Sequence, residues 1–335
     1  MGLTGSAPGK ALVPYHRRAH HAGSWYSNDA EELGASLLES LRVAEADSST
    51  SDTAGASVRA VVCPHAGYSY SGTTAAYSYL ALQKELQRRK DAGHDSSTTI
   101  VVLHPSHHVY LQTCAVSGAA VLETPLGNLK VDDALRQEIL QSSTHTTKFT
   151  IMTKSDDEHE HSGEMQYPFL AKIMAEVGAN SKVLPIMCGA LSDAAEAAYG
   201  RVLSSLLQRP TVLTVVSTDF CHWGSRFRYQ PMPPTGKPIP IHEFIKSMDH
   251  RGMELMAKQW QQPGAFADYL RDTGNTICGR HAVAVWLHAL AIAYPHNHSN
   301  LLPNVSFVKY NQSSSAKSIR DSSVSYAAGV CTLPF

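Results

Sequence analysis

Residues 59–68 read Arg59-Ala60-Val61-Val62-Cys63-Pro64-His65-Ala66-Gly67-Tyr68. The run that ends at Cys63 is short and mostly apolar, as is typical of a buried strand, and a turn containing proline, histidine and glycine follows it. Two later apolar runs, 98–103 and 212–217, also end in polar turns that contain histidine. Three strands of one kind therefore end in three chemically similar turns. This repetition decides both the predicted fold and the predicted site.

The side chains in these turns can bind a metal or transfer a proton. His65 follows the first run, His107 and His108 follow the second, and Asp219 and His222 follow the third. Each of them alone has a simpler explanation: a buried histidine bonded to a carbonyl group, an exposed turn, or an acidic cap. In open α/β sheets, however, ligands bind outside the carboxyl ends of the strands, where residues distant in sequence converge. The repetition at three strand ends therefore favours a shared site.

Helical periodicity separates the predicted strands. Leucines at helical spacing predict an amphipathic helix up to about Ala44. Continuous apolar strands that alternate with helices predict an α/β fold with a mostly parallel or mixed central sheet flanked by helices. We expect one large domain over 16–335, preceded by a flexible N-terminal extension, 1–15. The other predicted elements are strands at 59–63, 98–103, 184–188, 212–217 and 324–333, helices at 73–89, 163–177, 193–207, 242–258 and 279–293, a shorter helix closed by 268–274, and loops at 45–58 and 231–240.

The composition of the 335 residues excludes several classes of function. The net charge is −1, from 28 basic and 29 acidic residues, so no positive surface for nucleic acid is expected. No apolar run reaches the ~18 residues of a membrane span, and the N-terminus lacks the apolar core of a secretory signal. The six cysteines lie far apart and form no CxxC pair, which predicts reduced thiols in an intracellular protein. We expect a cytoplasmic location, with the nucleus as a second one.

Histidine is the compositional outlier, with 18 residues, which makes metal or acid–base chemistry the leading question. The acidic, histidine-rich run 156–161 is expected to be a solvated loop that caps the following helix; the alternative puts one side chain of the stretch Glu160-His161-Ser162-Gly163-Glu164-Met165 near the site. Cys278 precedes an apolar helix, and two readings stay open for it: a nucleophile or soft metal ligand, and a small buried hydrophobe. The absence of HEXXH, GxSxG, GxxxxGK[ST] and GxGxxG disfavours HEXXH metalloproteases, α/β-hydrolases and nucleotide-binding enzymes.

Seven ordered motifs resemble those of the Memo family, the mediator of ErbB-driven cell motility and its relatives. The resemblance covers most of the chain. That family is similar in fold to the class III extradiol dioxygenases, non-haem iron enzymes that open catechol rings, so the resemblance implies a dioxygenase-like fold. The motifs are His21-Ala22-Gly23-Ser24-Trp25-Tyr26, Pro64-His65-Ala66-Gly67-Tyr68, Pro105-Ser106-His107-His108, Glu160-His161-Ser162 with Glu164-Met165, Asp219-Phe220-Cys221-His222-Trp223-Gly224, Thr276-Ile277-Cys278-Gly279-Arg280-His281 and Asp321-Ser322-Ser323-Val324-Ser325-Tyr326-Ala327-Ala328-Gly329.

The resemblance also implies a set of site residues. The dioxygenases hold iron with two histidines and one glutamate, and in the Memo pattern a cysteine takes the carboxylate position. Carried over by motif, the metal ligands are His65, His107 and Cys278, while Asp219 and His222 face the same pocket as acid–base groups. Two imidazoles and a thiolate suit iron, copper or zinc and poorly suit calcium or magnesium. Mononuclear iron or copper is the expected cofactor, and zinc is less favoured.

The same resemblance implies a groove, lined by Trp25, Tyr70 and His222, that accepts a phosphotyrosine-containing peptide or signalling protein. The expected function is that of a metal-binding redox protein linked to cell motility and cytoskeletal signalling. Two alternatives stay open: a non-enzymatic phosphopeptide-binding scaffold that uses a vestigial pocket, and an extradiol-type dioxygenase. A thiolate is itself oxidisable and donates more charge to iron than a carboxylate does, which disfavours ring cleavage. Whether the chain is an enzyme stays open.

Overall fold

A nine-stranded mixed sheet forms the centre of the computed structural model, which describes residues 13–47, 55–144, 147–234, 239–295 and 302–334. Most of the predicted extension, 1–12, and parts of both predicted loops, 48–54 and 235–238, lie outside the described residues. The described strands are β1 (Tyr15–Arg17), β2 (Ala56–Cys63), β3 (Thr99–Pro105), β4 (Cys114–Val116), β5 (Ala119–Leu122), β6 (Leu129–Lys130), β7 (Thr150–Ile151), β8 (Lys182–Cys188), β9 (Val212–Ser217), β10 (His222–Trp223), β11 (Asn304–Gln312) and β12 (Ser323–Pro334). The described α-helices are α1 (Ala30–Ala46), α2 (Tyr68–Asp91), α3 (Asp133–Gln141), α4 (Lys154–His159), α5 (His161–Glu164), α6 (Tyr167–Val177), α7 (Asp193–Leu207), α8 (Ile241–Lys258), α9 (Pro263–Thr273) and α10 (Arg280–Ala293).

The middle of the sheet is parallel. β2 pairs with β9, β9 with β3, and β3 with β8, all in parallel register. Every residue of β3 and β9 is buried, because helices cover both faces, and this explains why the strands are continuous apolar runs rather than alternating ones. β12 pairs antiparallel with β2, and β4 pairs antiparallel with β8. The predicted α/β class with a mixed central sheet is therefore confirmed.

Two groups of helices cover this sheet. α1, α2 and α6 pack together, with α2 on β2 and β12, while α7 and α10 pack together, with α10 on β3 and β9. α7 has the bounds predicted for it, and its N-cap Ser192 accepts a hydrogen bond from the backbone of Ala195. The prediction of a single helix over 163–177 is wrong at its start. The helix is interrupted between α5 and α6, and Pro168 lies in the first turn of α6.

The N-terminal segment belongs to a second, three-stranded sheet. β1 begins at Tyr15, the last residue of the predicted extension, and pairs in parallel with β5, which in turn pairs with β6. This pairing carries the following residues, 18–26, to the carboxyl edge of the central sheet. Within the described part of the chain, no helix has both the length and the apolar character that crossing a bilayer requires.

Candidate metal centre

Three neighbouring parallel strands bring the predicted site residues to one edge of the sheet. His65 lies two residues after the end of β2, Asp219 two residues after the end of β9, and His107 two residues after the end of β3. Because the strand order is β2-β9-β3, with all three in parallel, these positions are adjacent in space. The structure therefore brings together the three turns that the sequence pattern singled out.

His65 is the centre of the cluster. Its Nε2 lies 3.0 Å from the Sγ of Cys278 and 4.0 Å from the Oδ2 of Asp219. Its Nδ1 is 2.8 Å from the hydroxyl oxygen of Ser217, and its backbone N–H donates to Asp219. Burial lowers the pKa of His65 well below the usual value, and the neighbouring imidazoles add to this effect, so the ring is neutral at pH 7. A neutral imidazole with one nitrogen already bonded offers its other nitrogen as a ligand.

Cys278 reaches the cluster because glycine follows it. A Cβ atom on Gly279 would lie 2.5 Å from the carbonyl oxygen of Ser217, so only glycine lets the start of α10 approach the end of β9 this closely. The backbone N–H of Asp219 donates to the Cys278 sulfur at 3.3 Å. Burial raises the pKa of the thiol and outweighs its contact with His107, although the position before a helix and beside Arg280 suggested a favoured thiolate.

His107 lies at the mouth of the cluster, with 31 % of its side chain exposed. Its Nδ1 is 3.0 Å from the carboxylate of Glu160, and its ring interacts electrostatically with Cys278. Burial alone lowers the pKa of His107, but the contacts with Cys278 and Glu160 outweigh it and raise the pKa to about 10. Carboxylate contacts of this kind fix the orientation of metal-binding histidines in many proteins.

The expectation of a solvated loop at 156–161 is wrong, because residues 154–159 form α4 and Glu160 is buried, although Glu160 does cap the following helix, α5, as predicted. The Glu160 carboxylate accepts hydrogen bonds from the backbones of His107 and His108 and from the hydroxyl group of Ser162. These contacts, together with the ring of His107, keep the pKa of Glu160 far below its usual value although burial opposes this. Glu160 is therefore fully engaged in holding the turn after β3.

His161 is the site residue that the sequence assigned only to an alternative. Its ring stacks on that of His107, with centroids 4.5 Å apart, and lies 5.5 Å from the ring of His65. Burial and the charge of His107 lower the pKa of His161 to about 3. The one sequence signal for this role was the histidine-rich composition of the segment, since the rings that contact His161, among them His65, His107 and Trp25, come from distant parts of the chain.

Two overlapping groups of side chains share His65 and have ligand atoms within 4.8 Å of one another. One is His65, His107 and His161; the other is His65, Asp219 and Cys278. The predicted set of His65, His107 and Cys278 is neither of these two groups and takes members from both: Cys278 lies 3.0 Å from His65 in one group, and His107 converges with His65 in the other. Imidazole and thiol donors suit iron, copper or zinc, so the donor chemistry fits such a metal.

Asp219, in the turn after β9, lies 4.0 Å from His65, and His222, the first residue of β10, interacts electrostatically with His65 and His107. Burial raises the pKa of Asp219 to about 7, although backbone N–H groups of His65 and Ala66 oppose the rise. The Nδ1 of His222 lies 2.9 Å from the carbonyl oxygen of Phe220, and burial lowers the pKa of this ring. A carboxyl group that titrates near pH 7 is suited to general acid–base chemistry.

The two aromatic residues predicted for the groove differ in position. Trp25 is half-buried and stacks on His161, with ring centroids 4.3 Å apart, so it covers the mouth of the cluster. Tyr70 lies in the first turn of α2 and is 62 % exposed. Among the described residues it makes no hydrogen bond or ring contact with the histidine cluster. The structure thus brings Trp25 to the site and leaves Tyr70 on the surface, in the first turn of α2.

Together, the mixed sheet and the imidazole–thiol cluster at its carboxyl edge define an α/β protein with a candidate transition-metal pocket. Comparison with known proteins adds the family: the family model described as Memo-like protein matches residues 17–330. The chain therefore belongs to the Memo family, as its sequence motifs predicted.

Relatives from several animals agree with this assignment. Protein MEMO1 of Xenopus laevis is 39 % identical over 93 % of this chain and 96 % of its own length. Protein MEMO1 of Homo sapiens is 38 % identical over 95 % of this chain and 97 % of its own length. Protein memo-1 homolog of Caenorhabditis elegans is 38 % identical over 94 % and 82 %, respectively.

Proposed function

We propose that the chain is a Memo-type metal-binding redox protein in which His65, His107 and Cys278 hold one iron or copper ion. The observation that carries the proposal is the 3.0 Å approach of His65 Nε2 to Cys278 Sγ, with the Nδ1 atoms of both histidines already bonded to other groups. Bound iron or copper supplies one-electron redox chemistry, which zinc does not, so zinc is less favoured.

The chain's own residues have distinct roles in this proposal. Glu160 orients His107, and Ser217 orients His65. Trp25, stacked on His161, limits the access of water to the ligands. Asp219 is the group that holds or releases a proton beside the cluster, because its pKa is raised to about 7 by burial. The link to cell motility and cytoskeletal signalling, in the cytoplasm or nucleus, is proposed from the resemblance to the Memo family.

Ring cleavage of the extradiol type is disfavoured. Neither converging group combines two histidines with a carboxylate: Asp219 converges with His65 and Cys278, and Glu160 is occupied by hydrogen bonds to the turn after β3. The third donor is the thiol of Cys278, which an oxygen-activating metal oxidises. We therefore expect no turnover across a broad panel of catechols.

Phosphopeptide binding at the pocket mouth is a second candidate. The observation that favours it is a cation beside His222: the ring of Phe227 contacts His222 at 5.2 Å, and the guanidinium of Arg226 lies 4.5 Å above the same Phe227 ring. Phosphate recognition by a chain with near-zero net charge depends on such local groups. Fluorescence anisotropy with a phosphotyrosine peptide and its unphosphorylated twin, each with and without chelator, tests this candidate. Equal binding of the two peptides contradicts it.

Anaerobic equilibrium dialysis of chelator-stripped protein against Fe2+ or Cu+ tests the metal proposal. We expect about one ion per wild-type chain and at least tenfold weaker binding by His65→Ala. His94→Ala is the matched control, because His94 is exposed in the turn after α2. Circular dichroism checks that each variant is folded. Binding by folded His65→Ala that equals the wild type contradicts the proposed ligand set.

A further inference from the structure

Three exposed histidines outside the pocket lie side by side, although they come from separate parts of the chain. His20 follows β1, His108 lies in the turn after β3, and His159 is the last residue of α4. The ring of His159 stacks on that of His108, with centroids 4.8 Å apart, and lies 4.5 Å from the ring of His20. We refer to these three residues as the rim trio. None of them is explained by the pocket chemistry described above.

The nitrogens of the rim trio are available to a ligand. The Nδ1 of His159 is 2.7 Å from the carbonyl oxygen of Ser155 in its own helix, so it donates there and leaves Nε2 as an acceptor. Among the described residues, the rings of His20 and His108 make no hydrogen bond. The adjacent carboxylate, Glu158, is already paired with Arg18 and does not satisfy these rings. Three neighbouring imidazoles therefore have at least one free nitrogen each.

An all-imidazole donor set selects a class of ligand. Imidazole nitrogens suit Zn2+, Cu2+ and Ni2+ and do not suit the hard cations Ca2+ and Mg2+. Zinc–nitrogen bonds of about 2.0–2.1 Å need the three nitrogens to close around one point, which requires the rings to turn out of their stacks. Exposed side chains change rotamer in picoseconds to nanoseconds, so this closure is rapid.

The rim trio is connected to the pocket by ring contacts. His20 contacts His21 at 5.1 Å, and His21 lies 6.0 Å from His161, which stacks on His107. The rim trio therefore lies at the outer end of a continuous row of imidazoles that ends at the buried cluster.

We propose that His20, His108 and His159 form a second site, at the surface, for a divalent transition-metal ion of the Zn2+ and Cu2+ class. The site does not need the pocket ligands, so it stands whether or not the pocket holds a metal. Its relation to the pocket, as a place where an ion is captured first, rests on the function proposed above.

Zn2+ is the probe for the test, because it does not oxidise the Cys278 thiol. Equilibrium dialysis is done with the full chain, without an affinity tag, in four forms: wild type, His20→Ala/His159→Ala, His65→Ala/Cys278→Ala, and His94→Ala as the surface control. We expect about two Zn2+ ions per chain for the wild type and the control, and about one for each double variant. The rim double variant is expected to keep the wild-type melting temperature, because both of its changed side chains are exposed.

The four forms separate the two proposals. If His65→Ala/Cys278→Ala keeps one ion while His20→Ala/His159→Ala loses one, the rim site is supported. If the pocket double variant binds as much Zn2+ as the wild type and the rim double variant loses all of it, the rim site stands and the pocket proposal fails. If the rim double variant binds Zn2+ with the same stoichiometry and affinity as the wild type, the rim site is refuted.

Discussion

Glu164 holds the N-terminal segment 17–26 over the pocket by hydrogen bonds, so its replacement has a predictable effect on the free energy of unfolding. Its carboxylate accepts hydrogen bonds from the guanidinium of Arg17, the backbone N–H of His21 and the hydroxyl group of Tyr26, each at 2.7 Å. Both Glu164 and Arg17 are buried. The segment held by these bonds carries Trp25 and His21 to the mouth of the cluster. We therefore expect Glu164→Gln to destabilise the fold and to loosen the pocket mouth.

The size of the effect follows from the pKa of this carboxyl group. Burial opposes ionisation, but Arg17, His21 and Tyr26 outweigh it and lower the pKa from its usual 4.5 to about 2. At 1.36 kcal/mol per pKa unit, this difference corresponds to about 3 kcal/mol of stability at neutral pH. Breaking a buried ion pair by removing one partner costs about 3–5 kcal/mol in other proteins, which agrees. We expect Glu164→Gln to lose about 3 kcal/mol of unfolding free energy at pH 7.5.

Urea unfolding followed by circular dichroism measures this loss. Because the folded pKa lies below the unfolded one, the ionised carboxylate stabilises the fold above about pH 4.5, and this contribution disappears as the pH falls toward 2. The difference between wild type and Glu164→Gln is therefore expected to shrink over that interval. Glu39→Gln, an exposed change in α1, is the control. If Glu164→Gln loses less than about 1 kcal/mol of unfolding free energy at pH 7.5, or if the loss does not depend on pH, the ionised Glu164 does not stabilise the fold as predicted.

Three further predictions concern the pocket. Glu160→Gln removes the carboxylate that fixes Nδ1 of His107, and we expect Fe2+ affinity in equilibrium dialysis to fall about ten- to hundredfold; unchanged affinity contradicts this. The pKa of His107 is raised to about 10 and that of the Cys278 thiol is also raised, so both groups are protonated at pH 7.5. We therefore expect about two protons to be released per metal ion bound, and the metal affinity to rise with pH. Calorimetry in buffers of different ionisation enthalpy measures the proton release. Metal binding without proton release would contradict the assignment of His107 and Cys278 as ligands. Gly279→Ala places a Cβ atom 2.5 Å from the carbonyl oxygen of Ser217, and we expect a loss of about 1–3 kcal/mol in urea unfolding together with weaker metal binding; wild-type stability would show that α10 can shift.

The parallel core was predictable because its signal is local. Strands such as 212–217 are buried on both faces and appear as uninterrupted apolar runs, and the helix between two such strands shows 3.6-residue periodicity. The edge strand β11 was missed because it is half-buried, mixes polar with apolar residues and is defined by its pairing with β12. The helix α3 lies in a stretch for which no prediction was made, and its N-cap Asp132 was the available signal.

The residues of the candidate site also divide into those that a local sequence pattern predicts and those that it does not. His65, His107 and Asp219 were predictable because each follows the end of a parallel strand by two residues. Cys278 has no such pattern, and its place in the site came from the family resemblance. Glu160 was assigned to a solvated loop because its burial depends on hydrogen bonds to the turn after β3, more than fifty residues away in the chain. Long-range contacts of this kind leave no local pattern in a single sequence.

Elemental analysis of protein purified anaerobically measures whether the pocket holds a metal ion and whether Cys278 is one of its ligands. Cys278→Ala removes the sulfur donor, and Cys331→Ala, a buried cysteine of β12 away from the cluster, is the control for loss of a thiol. We expect about one iron or copper ion per chain in the wild type and in Cys331→Ala, and less than about a tenth of that in Cys278→Ala. Equal metal content in all three folded proteins would contradict this expectation.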